Sequence, residues 1–181
     1  MKISVLPMEA LLSKLGSQST GFNTRLSGVS GTYGIQPFKI EFPNNPYAAP
    51  TKSFLFGQLR KEDILESGII KFPLVTMYVA DSTNQNEEKP RDFSGVVRIG
   101  IDFFLSWLRG NVDKVNFEAM SMAVEDALAQ VIQPWDAQNW GAGVIYNGAF
   151  SLQRSPLEMA GTESWLQVLG LRLAFQVDVG G

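Results

Sequence analysis

The chain of 181 residues carries 15 basic and 18 acidic side chains, a formal net charge of -3, and neither cysteine nor histidine. Those two absences exclude disulfides, thiolate metal sites, cysteine nucleophiles, the commonest general base and the commonest metal ligand. The length suits one domain, 1–181, able to bury a core without staples, and the mild acidity without long like-charge blocks gives no electrostatic footprint for nucleic acid.

Met8, Leu11, Leu12 and Leu15 recur at the spacing of one helical face, with Pro7 in the first turn and Gly16 past the end. This predicts a short helix from Val5 to Leu15. The apolar stretch before it is cut by Pro7 and Glu9 and is too short for a signal peptide, so the chain is expected to start in the cytoplasm. From Gly16 to Pro50, Gly, Ser, Thr, Asn and Pro recur every few positions, which predicts mostly loop. Within that stretch Phe38 to Phe42 alternates apolar with charged residues, as a short half-exposed strand does. Asp63 with Glu66 three residues on, closed by Gly68, has the pattern of a capping box on a one- or two-turn helix.

Residues 70–80 are β-branched and aromatic and become apolar on both faces after Pro73, which predicts a buried strand. The polar segment Asp81 to Asp92 follows as a projecting hairpin loop, holding Asn86, Glu87, Glu88, Lys89 and Arg91. The clearest strand comes next, with Val97, Ile99, Ile101, Phe103, Leu105 and Trp107 on one face and Arg98, Gly100, Asp102 and Ser106 on the other. Asn116 is placed to cap a helix whose apolar stripe is Phe117, Met120, Val124, Leu128 and Val131, ended by Pro134. A Trp- and Gly-containing connection with Trp135 and Trp140 leads to a strand around Ala149 to Arg154. The last strand, Trp165 to Val179, puts Trp165, Leu169, Leu171, Leu173, Phe175, Val177 and Val179 on one side, interrupted only by Gln167. The expected fold is therefore α+β. Its antiparallel sheet is built from two long hairpins and packed by one main helix, with a short N-terminal helix and a loop-rich first third. No apolar run approaches the roughly 18 residues of a membrane span.

The residues offer little chemistry. Gly16 to Gly21 has the gap of a phosphate-binding loop, but Phe22 and Asn23 stand where Lys and Ser or Thr are required. Gly28, Gly31 and Gly34 are spaced by three, and Gly141 with Gly143 lacks a third glycine, so turns explain them better than a nucleotide fingerprint. Ser30 has no histidine to deprotonate it. The carboxylates Glu62, Asp63 and Glu66, Glu87 and Glu88, and Glu125 and Asp126 read as a helix cap, a solvated loop and a helix's polar face, with a magnesium or acid–base site as the rival reading. Asp102, inside an apolar strand, must be exposed or paired, and Arg98 is the nearby cation. Trp107 and Trp165 are expected in the core. Trp135 and Trp140 divide evenly between packing and binding. Charged residues make up 18 % of the chain, below the roughly 25 % of a typical domain. Neighbours covering the surface would explain this, and so would solvation by the many small polar residues.

The order of elements from residue 70 to 179 resembles the tail terminator and tail-completion proteins of long-tailed bacteriophages. The resemblance rests on Phe72 to Val79, Val96 to Phe104, Asn116 to Met120 with its helix, and Phe150 to Arg154 answered by Trp165 to Val179. It implies a virion structural protein with no enzymatic activity, no cofactor and no metal, assembled in the host cytoplasm. Six copies would form a ring on the last ring of the tail tube, ending tube growth and joining the head connector. Heterologous interfaces close into such rings. The implied partners are a second copy of the chain, the tail tube protein, the head–tail connector and the sheath protein, with DNA passing only in transit. Asn45, Tyr47, Asn86, Glu87, Glu88, Lys89, Arg91, Trp135 and Trp140 are the expected contact residues. A neck or baseplate adaptor is the nearest alternative. A carboxylate-dependent metal hydrolase using Asp102 or Glu125 and Asp126 is the rival of another class.

Overall fold

A computed structural model describes residues 3–60, 62–63, 72–85, 93–108, 116–132, 139–160 and 164–179. Among the described residues three helices, α1 (Val5–Leu15), α2 (Phe22–Tyr33) and α3 (Phe117–Ile132), accompany seven strands. The strands are β1 (Phe54–Phe56), β2 (Leu74–Asn84), β3 (Phe93–Leu108), β4 (Asn139–Gly141), β5 (Val144–Arg154), β6 (Glu158–Ala160) and β7 (Ser164–Val179). They form one sheet in the order β1-β2-β3-β7-β5-β4, with β6 beside the start of β7. The class is α+β, as expected, but the sheet is mixed: β1 runs parallel to β2, while the other pairings are antiparallel.

Strand alternation divides the molecule into layers. Val97, Ile99, Ile101 and Phe103 of β3 and Leu169, Leu171, Leu173, Phe175 and Val177 of β7 turn the same way and meet the buried stripes of the three helices. The α1 stripe is Pro7, Met8, Leu11, Leu12 and Leu15. Helix α3 is anchored where the sequence predicts, since the Asn116 Oδ1 accepts the Ala119 N–H at 3.0 Å. One polar pair enters this layer and is internally satisfied: Ser121 Oγ and Gln167 Oε1 lie 2.7 Å apart, so Gln167 interrupts the apolar row at little cost. On the other face, a smaller cluster joins Leu74, Phe104 and Leu166 with Leu55, Leu59, Phe72 and Val168.

The first third departs from expectation. Residues 22–33 are helical because Phe22, Leu26, Val29 and Ser30 fall on one buried face. Tertiary packing thereby overrides the poor helix propensity of two glycines and several Ser and Thr residues. Gly34, at φ 63°, ends the helix in the left-handed conformation glycine adopts without strain. Phe38 to Phe42 alternates inward and outward as predicted but joins no ladder. The Asn23 amide serves instead of a neighbouring strand, donating to the Ile40 carbonyl at 2.8 Å and accepting the Ile40 N–H at 2.9 Å. The predicted capping box is described only at Asp63, whose Oδ2 accepts the Arg60 N–H at 3.1 Å; Glu66 lies outside the described residues. The strand expected from residue 70 is described from Leu74 and continues to Asn84, inside the stretch expected to be loop. Strand β5 starts at Val144, earlier than expected, and a register irregularity separates Tyr146 from Phe150.

Candidate functional site

Several surfaces hold polar and aromatic groups of the chain in definite geometry. The first is the open centre of the sheet, on the face away from the helices. Asp102 is buried there, and its partner is Arg172, with Nη1 to Oδ1 at 2.7 Å. The expected Arg98 pairing is therefore corrected. Four residues along a strand separate two side chains by roughly 13 Å, whereas Arg172 sits diagonally across the ladder, opposite Gly100. Arg98 instead meets Asp81, its direct cross-strand neighbour, at 2.7 Å. The Arg172 guanidinium also lies 5.3 Å from the centre of the Tyr78 ring. Two glycines make room for the cluster. A Cβ on Gly100 would come within 2.5 Å of Tyr78 Cζ, and one on Gly170 within 3.0 Å of Asp102 Oδ1. Burial, and after it the Asp102 carboxylate, holds the Tyr78 phenol above its ordinary value.

The second surface lies between the flank of α3 and strand β5. Arg154 clasps Glu125 through Nε and Nη2, at 2.5 and 2.6 Å, and also meets Glu118. The hydrogen bond to Glu125 is the main cause that raises the Arg154 pKa above its ordinary value. Beside this clasp an open groove of about 460 Å³ is lined by Tyr33, Met122, Asp126, Ala129, Phe150 and Leu152. Pattern alone hides this groove, because Arg154 and Glu125 are 29 residues apart and the ion pair exists only once β5 docks on α3.

Aromatic groups lie in two further, separate places. Tyr47 is 68 % exposed at the tip of a turn in which Asn45 Oδ1 accepts the Tyr47 N–H at 2.9 Å. Trp140, on edge strand β4, packs at 5.0 Å from Tyr146 and 5.1 Å from Phe175, with Lys14 Nζ 5.1 Å from its centre. Gly141, Ala142 and Gly143 all have positive φ in the turn that follows, which supports reading those glycines as turn formers. Trp165 is half-buried, where the core was expected, because it sits at the start of β7 opposite Met159 of the short strand β6. Trp107 is in β3, but its side chain lies outside the described residues, as do Asn86, Glu87, Glu88, Lys89, Arg91 and Trp135. Of the expected contact residues, the structure joins Asn45 with Tyr47 in one turn and puts Trp140 in a separate aromatic cluster.

Among the described residues no group of three or more acidic side chains is arranged to hold a metal ion, and no helix is long and apolar enough to cross a membrane. No family model and no curated protein sequence matches this chain.

Proposed function

We propose that the protein is a structural subunit of a phage tail, a terminator whose copies form a sixfold ring on the end of the tail tube. In this reading the sheet is two long hairpins, β2–β3 and β5–β7, joined side by side along β3 and β7. The observation that carries it is the division of β2. Its residues Leu74 to Tyr78 are buried, whereas Val79 to Asn84 are exposed. A strand that continues past the core suits a subunit whose neighbours complete its surroundings. The exposed Tyr47 turn supplies a second projection. The tube protein, the head connector and the sheath are the partners this reading assigns, DNA passes through without being held, and the virion is the place of action.

The hydrolase reading finds less support. Asp102 is neutralised by Arg172, and Glu125 by Arg154, which leaves neither poised as a metal ligand or general base. The two readings separate experimentally. Asp102→Asn and Glu125→Gln leave ring assembly intact if the protein is a subunit, whereas loss of a measurable hydrolytic turnover in those variants contradicts the proposal. Native mass spectrometry at increasing protein concentration is expected to reveal a closed sixfold species.

A further inference from the structure

Among the described residues, strand β5 is paired along one side over its second half. The Ser155 N–H donates to the Val168 carbonyl at 2.8 Å, and antiparallel ladders alternate bonded with non-bonded pairs. Gln153 and Ser151 are therefore the residues bonded to Gly170 and Arg172. The N–H and C=O groups of Phe150, Leu152 and Arg154 point away from β7. Strand β4 pairs with Val144 and Ile145 and goes no further, so among the described residues no strand meets those groups. Two of the usual protections of an edge are missing here: Phe150 to Arg154 contains no proline and no lysine.

The same three residues turn their side chains towards α3 and form one wall of the groove described above. Met122, 40 % exposed, faces Phe150 and Leu152 across it. The two walls are of comparable length: from Glu118 to Ala129 the helix rises about 16 Å, and Phe150 to Arg154 extends about 13 Å. Glu118, Glu125 and Asp126 bring three carboxylates to the rim against one guanidinium, Arg154, which leaves the groove negative.

We propose that this groove takes an extended segment of a partner protein, which adds to β5 as a strand. Its apolar side chains alternate into the floor, and a lysine or arginine lies beside Glu118 and Asp126. Main-chain hydrogen bonds to Phe150, Leu152 and Arg154 supply affinity, and the apolar floor and acidic rim supply selection, as in other strand-addition grooves. The inference is independent of the tail reading, because it needs only the bare edge and the groove.

The test uses the full chain labelled with 15N and a capped synthetic heptapeptide of alternating valine and threonine, in which lysine replaces one terminal valine on the inward face. Its comparison peptides carry glutamate for lysine, or N-methyl groups on alternate amides. The lysine peptide is expected to bind with a dissociation constant below about 1 mM and to slow hydrogen exchange at Phe150, Leu152 and Arg154 by about tenfold or more. Both comparison peptides are expected to bind at least about tenfold more weakly, and Asp126→Lys to weaken the lysine peptide several-fold while the fold is retained. Three results would overturn the proposal. One is the absence of shifts along β5 and α3 at peptide concentrations above about 1 mM. Another is protection of those amides in dilute protein without peptide. The last is protection that rises with protein concentration alone, which assigns the edge to a second copy of the chain.

Discussion

Tyr146 is buried to 2 % exposure, its hydroxyl has no hydrogen-bond partner among the described residues, and burial pushes its phenol up to about 12. The folded chain thus holds this proton at pH values where the unfolded chain, at the ordinary value of about 10, has lost it. This group is therefore expected to leave stability unchanged below about pH 9 and to lower it by about 1.4 kcal/mol per pH unit between about pH 10 and 12. Tyr146→Phe is expected to leave urea stability at pH 7 unchanged or slightly raised, since it removes an unsatisfied hydroxyl, and to flatten the alkaline loss. At Gly100 the expectation is opposite. Gly100→Ala forces the Tyr78 ring from its seat and is expected to cost about 2 kcal/mol. Most of that cost should disappear in a Tyr78→Ala background, a coupling that a double-mutant cycle reads directly. At this scale the sequence announces that Asp102 needs a partner but not which one. The carboxylate's burden follows from its apolar neighbours, whereas Arg172 is selected by a register 70 residues away.

Helices α1 and α3 and strands β3 and β7 are legible because periodicity and burial coincide in them, and the first half of β2 because it is a continuous buried apolar run. Helix α2 is not, although its signal is present: Phe22, Leu26, Val29 and Ser30 keep helical spacing under a composition that reads as loop. Gly28 and Gly31 are the cause of the misreading and also a means of checking it. A Cβ at either position meets nothing within 4 Å. Gly28→Ala and Gly31→Ala are therefore each expected to stabilise the isolated chain by about 0.5–1 kcal/mol in thermal or urea unfolding, through loss of unfolded-state entropy. A loss of stability would contradict the helix. The Phe38 to Phe42 segment fails in the other direction, because its alternation is real but the Asn23 side chain takes the place of a ladder. Asn23→Ala is expected to cost about 1–2 kcal/mol by leaving the buried Ile40 backbone groups unpaired.

For the molecule as a whole, the α+β class was legible in the sequence, while the parallel β1 and the groove beside β5 were not. Both depend on which elements meet across long separations, as Arg154 meets Glu125. Arg154→Ala is accordingly expected to destabilise by about 1–3 kcal/mol, with Arg154→Lys restoring only part, since an ammonium cannot span both carboxylate oxygens of Glu125 and reach Glu118. Under the proposed reading, the part of β2 that runs past the core is where neighbouring subunits would sit. The measurement that bears on this most directly is the length of tail tubes, read by electron microscopy, when tube protein polymerises with and without this chain. Tubes of arrested, uniform length with a sixfold ring at one end are the predicted result. Tubes that lengthen unchecked and carry no ring at either end would contradict it.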